Sequence, residues 1–303
     1  MSENTLATFV VVTYKRPDFL PRCLESIQKQ GYRPLEVIVV DNGDDVDPSV
    51  LNGLKAAGVD ARLLRPGANL GPGQGRNLGM QQASGDIAVF VDDDAVIHQD
   101  NVVEQVRQIF ATHPRCAGIT GYSQTPDGQT GGVDVPYPVR RQAQAVDLTE
   151  VPYLITVMAA VRIDAALAVG GFPAYQYCME EYDFSLKLIA AEYSILYNRH
   201  MAVTHHKTRK QGHTARHIAR GALPCSINRV HSAFRLLPFP VNWSMIGTRL
   251  LRLLLLSRVD LKLAADYLSA LWHERQTILA ERRPIGWATV WRLIRLGGWT
   301  MFV

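Results

Sequence analysis

Three consecutive aspartates, Asp92, Asp93 and Asp94, follow the short apolar run Ile87–Val91, whose composition predicts a buried strand. In an extended chain, residues two positions apart share a face, so Asp92 and Asp94 can address one ligand while Asp93 points elsewhere. Carboxylates gathered at a buried strand end repel one another unless a cation offsets their charge. The triplet therefore indicates a divalent metal site and a phosphate-bearing substrate. The alternative for the triplet alone is a solvated turn.

Polar residues also close two earlier strand-like runs. Thr13 and Tyr14 stand at the end of the first, residues 8–13, and Asp41 follows the second, residues 35–40. At a strand end in a doubly wound sheet, Asp41 is well placed to accept a hydrogen bond from a nucleoside base or a ribose hydroxyl. The alternative is a local turn in which Asp41 caps the backbone that follows it.

A glycine-rich stretch, residues 69–79, leads into the helical pattern that precedes the aspartates. Its glycines are expected to allow close approach of the backbone to a ligand, and Arg76 at the helix start could reach a phosphate or pair with a carboxylate. The stretch lacks the Lys-Ser/Thr pair of a Walker loop, and it does not directly follow the first strand as a dinucleotide fingerprint does. A nicotinamide-dependent enzyme is therefore disfavoured.

Three acids, Glu180, Glu181 and Asp183, lie at the start of another predicted helix. Acids in a first turn interact favourably with the helix dipole, and Asp183 is spaced to pair with Lys187. This structural explanation accounts for one or two of the acids but does not require all three. The group is therefore the fourth part of a candidate site.

Strand-like and helix-like patterns alternate through the first half of the chain. Near-continuous apolar strands separated by helices predict a mostly parallel sheet with helices on both faces. Such sheets bind ligands at the carboxyl ends of their strands, where the polar residues fall. The predicted strands cover residues 8–13, 35–40, 59–64, 87–91, 153–161 and 194–204, and the predicted helices cover 19–30, 74–83, 163–169 and 180–191. Residues 123–149 are predicted to form a long irregular, substrate-binding segment.

The last fifth of the chain differs in composition. Helical patterns cover residues 244–257, 260–280 and 284–296, and all five tryptophans lie there: Trp243, Trp272, Trp287, Trp291 and Trp299. We therefore predict a domain at residues 1–240 and a helical extension at residues 241–303. Tryptophan mixed with arginine and leucine is typical of interfacial helices. The extension is expected either to lie on a membrane surface or to pack on the domain or on a second subunit of a homo-oligomer.

The positive charge is unevenly distributed. The chain carries a net charge of +4, yet no acid lies between Glu192 and Asp260, a stretch with eleven Lys and Arg residues. Such a segment indicates an anionic partner, which could be a diphosphate, a nucleic acid or an anionic lipid. Arg249, Arg252 and Arg258 in this stretch are the candidates for contact with a membrane.

Two further expectations concern the cellular setting. The four cysteines, Cys23, Cys116, Cys178 and Cys225, are widely spaced without a CxxC pair. We therefore predict neither a zinc knuckle nor a disulfide framework. The N-terminal residues lack the charged start, apolar core and cleavage site of a secretory leader, so a cytoplasmic location is expected. If the extension binds a membrane rather than the domain or a subunit, it is expected on the inner face of the cell membrane.

Six motifs in order resemble the family 2 inverting glycosyltransferases of GT-A fold: VVTYKRP, VIVVDNG, residues 69–79, FVDDD, GGF and EEYDFSLKL, over about residues 7–206. The resemblance implies a nucleotide-sugar donor, usually a uridine or thymidine diphosphate sugar, and a Mg²⁺ or Mn²⁺ ion. It also implies transfer to an acceptor hydroxyl with inversion. We expect a lipid-linked or cell-envelope glycan as the acceptor and no nucleic-acid partner.

The resemblance also implies a role for each matching residue. The donor-binding residues are expected to be Thr13, Tyr14, Asp41, Arg76, Asp92 and Asp93. The metal is expected at Asp94 and Asp92, with His205 or His206 as a further ligand. Glu181 is the expected catalytic base, with Glu180 in reserve. The chain departs from the family pattern by Glu181 for Asp, Phe184 for Leu and Lys187 for Arg.

Two other functions stay open. A sugar nucleotidyltransferase would also use an acidic metal site, but it would carry a glycine-rich basic loop right after the first strand, where TYKRPDF has no glycine. The other alternative is a non-catalytic protein that binds nucleotide sugars or membrane surfaces. Intact Asp92, Asp94 and Glu181 argue against it.

Overall fold

The computed structural model describes residues 6–16, 18–129, 135–136, 148–206, 215–297 and 302. The strands in these ranges are β1 (Ala7–Thr13), β2 (Leu35–Asp41), β3 (Asp60–Leu64), β4 (Ile87–Val91), β5 (Ala95–Ile97), β6 (Cys116–Gln124), β7 (Thr149–Glu150), β8 (Met158–Arg162) and β9 (Ser194–His205). The helices are α1 (Leu20–Gln28), α2 (Asn52–Ala56), α3 (Gly71–Gln82), α4 (Val102–Thr112), α5 (Ile163–Ala168), α6 (Glu180–Ala190), α7 (Ala215–Leu236), α8 (Val241–Ser257), α9 (Leu261–Ala280) and α10 (Trp287–Gly297).

All the described strands join one sheet in the order β3-β2-β1-β4-β8-β6-β9-β5, with β7 beside β9. The β1 strand is parallel to β2 and β4, β2 is parallel to β3, and β6 is parallel to β9. The β8 strand is antiparallel to both β4 and β6, and β5 is antiparallel to β9. The predicted α/β class with a mostly parallel sheet is therefore confirmed.

Helices cover both faces of the sheet because the central strands are apolar on both faces. In β1, Phe9 and Val11 pack into one hydrophobic core with α1 and α4, whereas Val10 between them packs into the other with α3 and α6. This alternation follows from the two-residue period of a strand. The near-continuous apolar sequence of β1 is what burial on both faces requires.

The strand predicted at residues 153–161 is shorter in the structure, where β8 begins at Met158. The residues before it are buried, but side chains rather than a neighbouring strand accept from their backbone N–H groups. Ser185 Oγ accepts from Leu154, Thr120 Oγ1 from Ile155 and Glu181 from Thr156. The hydrophobic pattern therefore predicted the burial of these residues correctly. It could not show whether their backbone N–H groups bond to a neighbouring strand or to side chains.

The sequence patterns did not predict β5, β6, β7, α2, α4 or α7. Two residues of β6, Ser123 and Gln124, fall in the stretch predicted to be irregular. Most of that stretch, residues 130–134 and 137–147, lies outside the described residues. The α7 helix contains Gly221 and Pro224 among many basic residues, which weakens any helical pattern.

The C-terminal helices share a hydrophobic core with the sheet. Val230, Met245, Tyr267 and Val290, from α7, α8, α9 and α10, belong to the same buried cluster as Phe90 of β4. The boundary predicted near residue 240 stays a prediction. None of the helices in the described ranges combines the length and the apolar composition that crossing a bilayer requires.

A disulfide joins Cys178 to Cys225, so the prediction that cysteine spacing indicates no disulfide was wrong for this pair. The bridge links the segment before α6 to α7 across 47 residues. Only the fold brings these distant residues together, so their spacing carried no signal. Cys23 and Cys116 are buried free thiols.

We expect Gly79→Ala to destabilise the protein by about 1–3 kcal/mol, as overpacking of a core does. A Cβ at Gly79 would lie 2.3 Å from Cγ1 of the buried Val10. The matched control is Gly247→Ala in α8, where a Cβ would meet nothing within 4 Å. Alanine should stabilise that helix by about 0.5–1 kcal/mol. Urea unfolding of both variants tests the packing of α3 on β1, and equal effects would contradict it.

Candidate active site

Polar residues from four strand ends meet at one edge of the sheet. Thr13 of β1 pairs in register with Asp41 of β2, so their side chains lie side by side. The three aspartates follow β4 directly, and β9 ends at His205. The parallel arrangement of β1, β2 and β4 places the carboxyl ends of these strands together, which is where such sheets bind ligands.

Asp93 is fully buried and contacts the end of β1. It accepts a hydrogen bond from Thr13 Oγ1 at 2.7 Å and pairs with Nη2 of Arg16 at 2.7 Å. Burial raises the pKa of Asp93 to about 6, although the Arg16 charge and the Thr13 hydrogen bond lower it. Asp93 therefore supports the site from a buried position, and the hydroxyl of Thr13 donates its hydrogen bond to Asp93.

Asp92, Asp94 and His205 form a candidate metal cluster. Each offers a ligand atom, and these atoms all lie within 4.8 Å of one another. Nε2 of His205 is 3.0 Å from Asp94 and 3.9 Å from Asp92. Burial raises the pKa of Asp94, but its hydrogen bond with His205 and the charges of His205 and Arg16 outweigh that effect and hold the pKa below its usual value. Two carboxylates and an imidazole are a ligand set that fits a divalent cation.

Strand register explains which histidine joins the cluster. Ala95, the residue after Asp94, pairs with His205 where β5 runs antiparallel to β9. The backbone N–H of His206 donates to the carbonyl of Asp94 at 2.8 Å. His206 therefore supports the turn through its backbone, and among the described residues its ring is not part of the cluster.

Arg76 connects the metal cluster to the acids of α6. Its guanidinium is buried, with Nη2 2.9 Å from Asp92 and Nη1 3.1 Å from Glu180. Arg76 lies within α3, which begins at Gly71, and not at the helix start as predicted. Burial lowers the pKa of Arg76, but the charges of Asp92 and Glu180 outweigh it and raise the pKa overall. The side chain thus stays charged and fixes both carboxylates.

Glu181 has a different environment from Glu180. Its Oε1 accepts from the backbone N–H of Thr156 at 2.5 Å and from Oγ1 of Thr156 at 2.6 Å. Burial and the neighbouring charge of Glu180 raise the pKa of Glu181 to about 7, against the opposing effects of Arg76 and Thr156. Glu180 is held by Arg76, so Glu181 is the carboxylate whose environment suits a general base near neutral pH.

Asp41 caps the backbone that follows it, as the structural alternative predicts. It accepts from the N–H of Gly43 at 3.1 Å and of Val46 at 3.0 Å. Burial raises the pKa of Asp41, but these hydrogen bonds outweigh it and hold the pKa below its usual value. The N–H of Asp45 and Nε of Arg65 also donate to Asp41, each at 3.4 Å, so this carboxylate, which is 1% exposed, is already occupied within the protein. Tyr14 nearby is 43% exposed.

The glycine-rich stretch packs against protein rather than opening toward a ligand, which corrects the expectation for it. A Cβ at Gly71 would lie 2.5 Å from the carbonyl oxygen of Tyr175, and one at Gly75 would lie 2.8 Å from Val12. Asn77 adds a pair of 2.9 Å hydrogen bonds to the backbone of Phe172. The glycines therefore let α3 lie close to β1 and to the segment before α6.

Sequence reasoning missed two residues of the site. Arg16 pairs with Asp93 and Asp94, and its position inside the motif VVTYKRP was a signal that went unused. Thr156 fixes Glu181 through two hydrogen bonds. No local pattern marks Thr156, because its role depends on the contact between α6 and the segment before β8.

The basic stretch does not form one surface. Arg235 pairs with Asp183 at 3.0 Å and with Glu281 at 2.9 Å, and Asp183 also pairs with Lys187 as predicted. Arg249 is only 4% exposed, so it is not part of an exposed basic surface, which corrects its predicted role. Trp299 and three basic residues of the stretch, Lys207, Arg209 and Lys210, lie outside the described residues, as does the side chain of Arg216.

Comparison with protein families gives one match. The model of "Glycosyl transferase family 2" matches residues 8–170, which is more than half of the chain. The matched span includes Thr13, Asp41, Arg76 and the three aspartates. It ends before Glu181 and His205, so those two assignments depend on the geometry described above.

Curated relatives match part of the chain. A glycosyltransferase of Haemophilus influenzae is 26% identical over 61% of this chain and 62% of its own length. A "GalNAc(5)-diNAcBac-PP-undecaprenol beta-1,3-glucosyltransferase" of Campylobacter jejuni is 37% identical over 28% of each chain. The chain thus spans less than two thirds of the length of these relatives.

Solved structures share the GT-A fold. A mannosyltransferase of Pyrobaculum calidifontis in complex with GDP-Man and Mn²⁺ aligns with a TM-score of 0.58 at 17% identity, covering 88% of this chain and 75% of that one. Staphylococcus aureus TarS 1-349 in complex with UDP-GlcNAc aligns with a TM-score of 0.53 at 16% identity, covering 89% of this chain and 92% of that one. The predicted GT-A fold is confirmed.

We expect Asp94→Asn and His205→Ala each to weaken Mn²⁺ binding at least about tenfold, the loss that even outer-shell changes cause at metal sites. Isothermal titration with Mn²⁺ alone measures this without any substrate. Asp93→Asn is the matched control, since Asp93 is adjacent in sequence but outside the cluster. A larger loss for Asp93→Asn than for Asp94→Asn would contradict the assignment.

Proposed function

We propose that this chain, which belongs to glycosyl transferase family 2, transfers a sugar from a nucleoside diphosphate donor to an acceptor hydroxyl with inversion at the sugar. One observation carries the proposal. A metal-type cluster at the strand ends is joined through Arg76 to the start of α6, where Glu181 has a pKa of about 7. A cation site beside a near-neutral carboxylate is what activation of a leaving diphosphate and of an attacking hydroxyl requires.

The donor is proposed to be a uridine or thymidine diphosphate sugar. Tyr14 is exposed at the end of β1, so an aromatic ring is available there to stack on a pyrimidine base, next to the turn that the buried Asp41 holds after β2. Related structures hold GDP-Man, UDP and UDP-GlcNAc, which supports a nucleotide sugar as the class without selecting the base.

A bound divalent cation would neutralise the diphosphate as it leaves. Asp92, Asp94 and His205 would hold it, and the imidazole among these ligands favours Mn²⁺ over Mg²⁺, which prefers oxygen ligands. Arg16 pairs with Asp94, and its side chain is 45% exposed. When the donor binds, this guanidinium could leave the Asp94 carboxylate and pair with a phosphate of the donor.

Glu181 is proposed to take the proton from the acceptor hydroxyl. Its two hydrogen bonds from Thr156 orient the carboxylate, and its raised pKa makes it a stronger base than a solvated glutamate. Glu180 keeps Arg76 in place instead. A nucleotidyltransferase would not need this base, because its attacking group is already an anionic phosphate, so Glu181 favours glycosyl transfer over that alternative.

The C-terminal helices are proposed to bind the anionic inner face of the membrane, where a lipid-linked acceptor would be found. Four large apolar residues lie on one exposed face of α9, at spacings of seven, four and seven residues: Leu261, Leu268, Trp272 and Leu279. Apart from the buried Arg249, residues 241–297 carry eight basic and four acidic side chains, so their net charge complements anionic lipid. The Campylobacter jejuni relative is named for an undecaprenol-linked acceptor, which supports an acceptor of this class.

We expect Glu181→Gln to lower the transfer rate by about 10² or more while donor binding is retained, since a positioned base contributes about that much. In the wild type, protonation below the Glu181 pKa removes the base, so the rate should rise with pH through about 7. Rates at saturating substrate between pH 5.5 and 8.5 measure both effects.

The control is Thr156→Val, which removes one hydrogen bond that stabilises the charged carboxylate. Its pH midpoint should move upward with donor affinity unchanged. If Glu180→Gln rather than Glu181→Gln abolishes transfer without loss of folding, the base is assigned to the wrong residue.

We expect Trp272→Glu and Leu268→Glu to reduce binding to vesicles that contain phosphatidylglycerol, because each places a charge in the exposed apolar face of α9. Leu167→Glu, on the exposed side of α5, is the matched control and should bind normally. Sedimentation with anionic and neutral vesicles at low and high salt provides the measurement. Absence of binding by the wild type at low salt would favour a subunit interface on this face.

A further inference from the structure

Arg249 occupies a core position of α8. Five buried residues of this helix recur every four positions, at Val241, Met245, Arg249, Leu253 and Ser257, and Asn242 is buried beside the first of them. Arg249 is 4% exposed, between Met245 at 0% and Leu253 at 1%. This spacing normally selects an apolar side chain, so a guanidinium here needs an explanation.

The guanidinium of Arg249 lacks a counter-charge in the described part of the protein. Its Nε and Nη2 are buried and have no hydrogen-bond partner there. No carboxylate of the described ranges forms an ion pair with it, whereas Arg76 and Arg235 each contact two. A buried cation without a partner is costly, which is the condition that an anionic ligand relieves.

Two other arginines add positive charge beside Arg249. Burial, followed by the charges of Arg229 in α7 and Arg252 in α8, lowers the pKa of Arg249 to about 9. The neighbouring polar groups that oppose this shift are tyrosines, Tyr182 and Tyr267, and not carboxylates. Arg252 lies about one helical turn beyond Arg249 in α8, and Arg229 lies in α7, which packs against α8. We call these three residues the arginine cluster.

The arginine cluster packs against the helix that carries the proposed base. The Arg229 guanidinium is 4.9 Å from the ring centroid of Tyr182, the residue that follows Glu181 in α6. Asn228, beside Arg229, donates to the backbone carbonyls of Tyr177 and Cys178, just before α6. The cluster is thus fixed to the start of the helix that carries Glu181.

We propose that Arg249, together with Arg229 and Arg252, binds a phosphate group of the acceptor. Guanidinium groups form paired hydrogen bonds with phosphate oxygens, and three of them can surround one such group. The inference rests on the proposed function, because it identifies the acceptor as a phosphate-bearing molecule, whereas the donor diphosphate belongs at the metal cluster. A headgroup phosphate of a membrane lipid is the other source of the same chemistry.

Thermal unfolding of the full chain in EDTA, with inorganic phosphate or farnesyl diphosphate against chloride of equal ionic strength, tests the site. EDTA removes any cation that could draw phosphate to the aspartates. Ligand that binds only the folded state raises Tm. We expect these ligands to raise the Tm of the wild type but not that of Arg249→Met. The affinity of Arg252→Gln for the same ligands should fall about tenfold or more, because a hydrogen bond to a charged group is lost.

Arg22→Gln, which removes one exposed charge on α1, should respond as wild type does. Asp94→Asn should also keep its phosphate response although it loses Mn²⁺, so failure of this site is distinguishable from failure of the donor site. Arg249→Met should fold, because apolar replacement of a buried unpaired charge is commonly tolerated. If it does not fold, Arg252→Gln carries the test.

An unchanged phosphate response in Arg249→Met, or in Arg252→Gln when only that variant folds, overturns the proposal. So does a response to phosphatidylglycerol vesicles that depends on Arg249 while the soluble probes have no effect, since that result assigns the arginines to lipid headgroups. Arg249-dependent binding of farnesyl diphosphate in solution supports an acceptor phosphate.

Discussion

The site depends on one buried guanidinium. Arg76 contacts Asp92 after β4 and Glu180 at the start of α6, and so it holds together two parts of the chain that are far apart in sequence. Without it, Asp92 and Glu180 would lack the positive charge that lies between them and would repel each other. The metal cluster and the proposed base thus keep their relative positions through a single side chain, fixed in turn by the close packing of α3 on β1.

Sequence periodicity was sufficient for the elements and residues that local chemistry determines. Burial of β1 and β4 on both faces requires apolar runs. The pattern also predicted that Asp92 and Asp94 would share a ligand without Asp93, and they do cluster with His205, although they lie in a turn rather than in an extended strand. Contacts between distant segments were not predictable in this way. The support that Thr156 gives Glu181, and the disulfide at Cys178, depend on tertiary structure that no local spacing records.

Charge was the least reliable guide, for a physical reason. A count of basic residues cannot show whether each one meets water, a carboxylate or the protein interior. In the stretch before Asp260, Arg235 neutralises Asp183, Arg249 is buried, and Arg252 is exposed. The net charge of the stretch therefore combines contributions to folding with contributions to binding. The burial and the ion pairs of each basic residue show which contribution it makes. Arg249 is buried without an ion pair in the described ranges, so a role in folding does not explain its charge.

The pairing of β5 with β9 limits how this part of the chain can change in length. His205 reaches the cluster because it is opposite Ala95, directly after Asp94. Loss of one residue in the irregular part of β9, between Tyr197 and Ala202, would turn the imidazole of His205 to the opposite face of the sheet. The adjacent His206 would then take the paired position, so tandem histidines offer a substitute ligand after such a shift. Length changes elsewhere in exposed loops carry no comparable constraint.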